Sequence, residues 1–201
     1  MSRLAFAAVA ILSGCSMLPS AFTRTPVPSE LAPGADRKLQ IVAAANGVQI
    51  YRCDPKKDEP GRLEWTFQAP EAVLRDPAGK YLGKHYAGPT WEAADGSKVV
   101  GEVKARNDGP DANAIPWLLL SAKSTSGAGV LANTASVQRV QTVGGKAPDG
   151  GCSQAQAGKE LRVPYSATYY FYVDKGSAQS QTRESSANSR GTWSPASSYS
   201  Y

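Results

Sequence analysis

Apolar and polar residues alternate with a period of two along most of the chain between Leu39 and Val173. Leu63, Trp65 and Phe67 alternate with Glu64, Thr66 and Gln68, which predicts a strand with the first three side chains inward. Leu39, Ile41 and Ala43 open an earlier run. Asn46-Gly47 follows, and then a second run in which Val48 and Ile50 share one face and Tyr51 and Cys53 the other. An Asn-Gly pair between two alternating runs predicts a two-residue hairpin turn. Asp76-Pro77-Ala78-Gly79 predicts another turn, and Asp95-Gly96 a third. Residues 115–122, IPWLLLSA, are continuously apolar and predict a strand buried on both faces, with Pro116 at its start. Residues 135–143 alternate weakly. In residues 162–173 Tyr165, Ala167, Tyr169, Phe171 and Val173 form one face.

These runs give eight or nine short strands with turn signals between them and no confident helix. The predicted class is all-β, an antiparallel sandwich or a barrel-like, jelly-roll type sheet. Composition supports this reading: 19 glycines and 14 prolines punctuate short elements, and 41% apolar residues are enough for a core. The net charge of +5 is spread along the chain, without the basic stripe that a nucleic-acid partner requires.

The amino-terminal end differs from the rest. Arg3 precedes a nine-residue apolar run, Leu4 to Leu12. That is short of the about 20 residues a membrane-spanning helix needs and suits the apolar region of an export signal. Leu12-Ser13-Gly14-Cys15 resembles the bacterial lipobox. The resemblance implies cleavage before Cys15 and acylation of its sulfur, with the membrane reached through that lipid. Ser16 after the cysteine implies an outer-membrane location, facing the periplasm or the cell surface. The expected organisation is a signal peptide at 1–14, a Pro-rich tether at 15–36, a β-domain at 37–174 and a disordered Ser-rich tail at 175–201. With Cys15 lipidated, Cys53 and Cys152 remain. In an oxidising compartment the pair is expected to bridge, the alternative being two buried free thiols.

Several stretches taken together carry a second resemblance: GVQIYRC (47–53), WTFQAPEAVL (65–74), HYAGPTWEAADGSKVVG (85–101), IPWLLLSA (115–122), VQRVQTVGGKAPDGGC (137–152) and VPYSATYYFY (163–172). They resemble the domain-of-unknown-function family numbered 3455, found in secreted bacterial and fungal proteins. The resemblance implies domain limits and the Cys53–Cys152 bridge, and no activity. Some fungal relatives carry a malate-dehydrogenase label. Gly127-Ala-Gly129-Val-Leu-Ala132 imitates a dinucleotide fingerprint. The alternation of residues 135–143 leaves no room for the helix that such a loop must start.

Other chemistry is sparse. His85 is the single histidine, so zinc has no ligand set and a Ser-His-Asp arrangement has one candidate base, without a nucleophile motif. Glu92 and Glu102 flank the Asp95-Gly96 turn; pairing of 92 with 99 and 90 with 101 would put them on one sheet face roughly 7–10 Å apart, a spacing at which two carboxyls could hydrolyse a glycoside. Residues 107–113, NDGPDAN, offer oxygen ligands but miss the EF-hand spacing. His85, Tyr86, Trp91 and Glu92 make the candidate ligand face. No catalytic residue, cofactor or metal is assigned. The reading is a lipid-anchored envelope domain that binds a small ligand or an envelope protein. The alternatives are an envelope enzyme, either a glycan hydrolase or by family label an oxidoreductase, and a structural envelope protein.

Overall fold

A computed structural model describes residues 24–176. Cys15, the expected signal at 1–14 and all but the first two residues of the expected tail lie outside them.

Eight antiparallel strands form one sheet that closes on itself: β1 (Arg37–Pro55), β2 (Leu63–Arg75), β3 (Tyr81–Tyr86), β4 (Thr90–Ala93), β5 (Lys98–Asn107), β6 (Trp117–Ser126), β7 (Thr134–Gly144) and β8 (Glu160–Asp174). Every strand bonds its neighbours in sequence, and β8 returns to β1. Of the sandwich and the barrel that the periodicity leaves open, the molecule is the barrel. Its strand order is a consecutive meander, without the crossovers of a jelly roll, because every connection joins adjacent strands.

Two of the predicted turns form as expected. The Asp76 carboxylate accepts hydrogen bonds from the backbone of Ala78 and Lys80, both at 2.9 Å, and Gly79 takes a positive φ of 84°. Asp95-Gly96 joins β4 to β5, but the register is one residue from that expected: Glu92 lies opposite Lys98, and Thr90 opposite Val100.

Asn46-Gly47 is not a turn. It lies inside β1, one continuous strand of 19 residues. Gly47 pairs with Ala72 on one side and Tyr165 on the other. A Cβ there would lie 2.0 Å from the Glu71 carbonyl oxygen and 2.5 Å from the Ala72 Cα. The glycine therefore answers a close approach by β2, the other reason a strand carries one.

Alternation then fixes the two faces of the wall. Trp91, Tyr165, Tyr169, Phe171, Val99, Val137 and Leu120 fill the interior. The outer face carries ion pairs, among them Arg162–Glu71 and Lys104–Glu102. This polarity is the reverse of that of a membrane-spanning barrel, whose apolar band faces outward. Phe67 faces inward as expected, but at the open mouth rather than in the packed core. A register shift between Ile50 and Tyr51 precedes its pairing, and the ring is 50% exposed.

One outer stretch is apolar, and it is covered. Residues 24–36, expected as part of the tether, lie against the barrel. They carry a 3-10 turn at Ser29–Leu31, and Leu31 is fully buried among Trp117, Val140, Tyr170 and Tyr172. Beneath this strap the Gln138 side chain donates to the Leu31 carbonyl and accepts from the Tyr172 hydroxyl. The strap explains the double burial predicted for the strand at 115–122. Leu118 and Leu120 face the interior, and Trp117 and Leu119 face the strap. Fully burying a side chain such as Leu31 contributes about 1.5–3 kcal/mol.

Cys53 and Cys152 are bridged, with Cα atoms 6.0 Å apart. The bond ties the β7–β8 connection to the carboxyl-terminal end of β1. The chain-entropy treatment assigns a loop of this length roughly 4–5 kcal/mol.

Candidate functional site

The two ends of the barrel differ. At one end Leu131, from the β6–β7 connection, packs with Ile41, Leu74, Leu82, Ala93 and Phe171, leaving a void of about 20 Å³. The other end is open, with a cavity of about 410 Å³ that descends to the Trp91–Tyr169 layer. That volume lies within the range of small-molecule sites.

His85 and Trp91 stand on adjacent strands, β3 and β4, directly opposite each other. Their rings stack with centroids 4.5 Å apart, and the Tyr169 ring meets each edge-on. His85 is 3% exposed. Its Nδ1 lies 2.8 Å from the Thr90 carbonyl oxygen. A carbonyl only accepts, so Nδ1 carries the proton and Nε2 is a lone-pair acceptor in the neutral ring. Burial pushes the His85 pKa down to about 3. The Thr90 bond opposes that fall, and the charge of Arg139 adds to it.

Arg139 is a strongly polar group set into the wall between apolar neighbours. It lies opposite Leu118 of β6 and Tyr169 of β8, and all three line the cavity. Its Nε and Nη2 donate to the Pro116 carbonyl at 3.1 and 2.8 Å, which fixes the guanidinium plane. No Asp or Glu lines the cavity. Among the described residues Arg139 forms no ion pair, whereas Arg106 at the rim is paired with Asp108 at 3.0 Å.

More polar atoms lie near it unmatched. Gln49 Nε2 and the Tyr165 and Tyr169 hydroxyls are buried and meet no partner in hydrogen-bonding geometry. Burial, first of all, holds both tyrosines protonated, above the usual phenol range, although the charge of Arg139 pulls the other way. Tyr51, at the same end, does find a partner and donates to the Gly145 carbonyl at 2.7 Å. Phe67 and Val103, each about half exposed, supply apolar surface at the mouth.

The four residues expected to form one face are divided by the wall. His85 and Trp91 line the cavity. Tyr86 and Glu92, each one residue further along its strand, point outward. There the Tyr86 hydroxyl donates to Glu92 at 2.8 Å, and Lys84 and Lys98 flank the same carboxylate at 3.6 and 3.3 Å. The Tyr86 bond first, then the lysines, hold the Glu92 carboxyl below the usual range. Glu102 is held low in the same way by Lys104. Neither carboxyl has the raised pKa of a general acid. In residues 107–113 the side-chain oxygens of Asn107 and Asp111 accept from the loop's own backbone, at Gly109 and Asn113. Among the described residues no group of three or more His, Cys, Asp or Glu side chains is placed to hold a metal.

Arg139, Gln49 and Tyr169 were not singled out by the sequence reading. The available signal was parity: Arg139 stands two residues after Val137, a fully buried core position of the same strand.

A family model matches residues 33–173. The chain belongs to DUF3455, a family described as protein of unknown function. The match spans the barrel almost end to end, so the DUF3455 unit is the closed sheet itself. Every residue lining the cavity and both bridged cysteines fall within it. No curated protein and no solved structure matches the chain.

Proposed function

We propose that this DUF3455 protein is an exported, lipid-anchored binding module whose open barrel end takes a small, largely apolar molecule. The observation that carries the reading is the cavity of about 410 Å³ at one end of a barrel plugged at the other. Its walls are rings and aliphatic chains: Trp91, Tyr169, Leu118, Leu120, Ile115 and Phe67. A few convergent polar groups among such walls are the usual composition of a small-ligand site. His85 fits binding better than catalysis. Its proton points at a backbone carbonyl and no carboxylate orients the ring, so it lacks the third member that a histidine base ordinarily has.

Export and anchoring at Cys15, at the outer membrane, rest on the lipobox resemblance and on the bridge, which requires an oxidising compartment. Radiolabelled palmitate entering the wild-type chain and not a Cys15→Ala variant supports the anchor; absence of label from both removes it. For the cavity, the probe is N-phenyl-1-naphthylamine, an uncharged ring compound that fluoresces in apolar surroundings. Saturable enhancement by wild type, reduced at least tenfold in affinity by Leu120→Arg in a variant that still melts cooperatively, is the expected result. No saturable enhancement in wild type overturns the binding reading.

A further inference from the structure

Deepening that reading, on which it rests, we infer that the ligand carries a carboxylate and that Arg139 receives it, with the apolar part of the molecule lying against Trp91 and Leu118.

The polar side chains that line the cavity include the donors of Arg139, Gln49 and Tyr169, and none of the lining residues is an anion. An arginine has five N–H donors in one plane. Two of those of Arg139 are spent on Pro116, which leaves three. The two that hold the Pro116 carbonyl fix the plane in advance, so little rotational freedom remains to be lost on binding. Along the same cavity the Gln49 amide nitrogen and the Tyr169 hydroxyl are buried without a well-formed hydrogen bond; Gln49 has only the Tyr165 hydroxyl near it, and Tyr169 only Tyr165 and Arg139. A buried donor left unmatched costs about 1–3 kcal/mol. A carboxylate has the complementary chemistry: it accepts only, through two oxygens, and matches the flat fork of a guanidinium.

Position agrees with composition. Arg139 belongs to an inward-facing row, between Leu118 and Tyr169, and its charge is felt at His85, Tyr51, Tyr165 and Tyr169. An inward-facing cation among rings, with no acid along the cavity, is unfavourable unless something compensates it. On the outer wall, by contrast, Glu92 sits between two lysines and Arg162 meets Glu71 at 2.9 Å.

The test compares decanoate with decanol as competitors for the uncharged probe N-phenyl-1-naphthylamine. Wild type is expected to release the probe at a decanoate concentration at least tenfold below that of decanol. In Arg139→Gln the two competitors should become equal while the probe still binds, which also shows that the variant is folded. Equal competition in wild type overturns the carboxylate inference and leaves the binding reading standing. A probe that never binds wild type removes both. A preference for decanoate that survives in Arg139→Gln assigns the anion to another group and overturns the role of Arg139.

Discussion

The Nδ1–H of His85 donates to the carbonyl oxygen of Thr90 across 2.8 Å, from β3 to the first residue of β4. This bond secures one tautomer of a ring that burial keeps neutral. The groups facing it are Trp91, Tyr169 and Arg139; none is acidic, and a proton added to the ring would sit beside an existing cation.

Stability should therefore fall as the solution is acidified. The unfolded histidine takes a proton near its ordinary pKa of 6.5, the folded one only near 3. Between those values the unfolded chain binds more protons, so acid favours it. The contribution is complete above pH 6.5 and declines by up to about 1.4 kcal/mol for each unit below it. The paired glutamates titrate from their ordinary value of 4.5 downward, so the window from 6.5 to 5 isolates His85. Melting temperatures in that window should drop for wild type and stay level for His85→Gln.

Reducing the Cys53–Cys152 bridge should lower stability by roughly 4 kcal/mol in the chain-entropy treatment. For a domain of this size that corresponds to about 10 °C in Tm. Calorimetry with and without reductant measures it. Hydrogen exchange should quicken first in residues 145–159, the connection the bridge holds at the mouth. Equal protection with and without reductant would show that the loop is held by other contacts.

Gly47→Ala should destabilise by several kcal/mol, because the new methyl group meets the backbone of Glu71 and Ala72 rather than a movable side chain. Gly176→Ala is the control, with open space around it. It should remain within about 0.5 kcal/mol of wild type in urea titrations.

Leu31→Ala should cost about 2–5 kcal/mol, since this strap side chain is fully buried against the barrel. Gln138→Leu should cost more than its volume change implies. It leaves the Leu31 carbonyl and the Tyr172 hydroxyl without their shared partner. A double variant whose losses simply add would show that Leu31 and Gln138 act separately.

Turns were legible where their chemistry is local. Asp76 and Asp95 bond backbone within a few residues, so the neighbouring sequence is enough to announce the turn, although Asp95 also accepts from the distant Val130 N–H. Asn46-Gly47 has the same letters for a distant reason, the approach of β2, and no nearby residue announces it. The bridge was legible from the cysteine count. Closure of β8 onto β1 was not, because it depends on one long strand pairing on both sides. Of the four residues of the expected face, His85 and Trp91 point into the cavity and Tyr86 and Glu92 point out. Alternation already separates His85 from Tyr86 and Trp91 from Glu92, and nearness in sequence obscured this. Arg139 was hidden by the weak pattern around it, in which Val137 and Val140 fall on opposite parities.

Arg37 and Asp174 are joined by an ion pair and sit opposite each other in the register of β1 and β8. The barrel's chain thus enters and leaves side by side, at the plugged end. A carrier protein or a solid support attached on that side would leave the opening clear. The same adjacency makes the sheet a candidate for circular permutation: a short linker from 174 to 37, with new termini cut into the exposed β2–β3 turn, would preserve all eight ladders and the mouth, at the loss of the strap and the contact of Leu31.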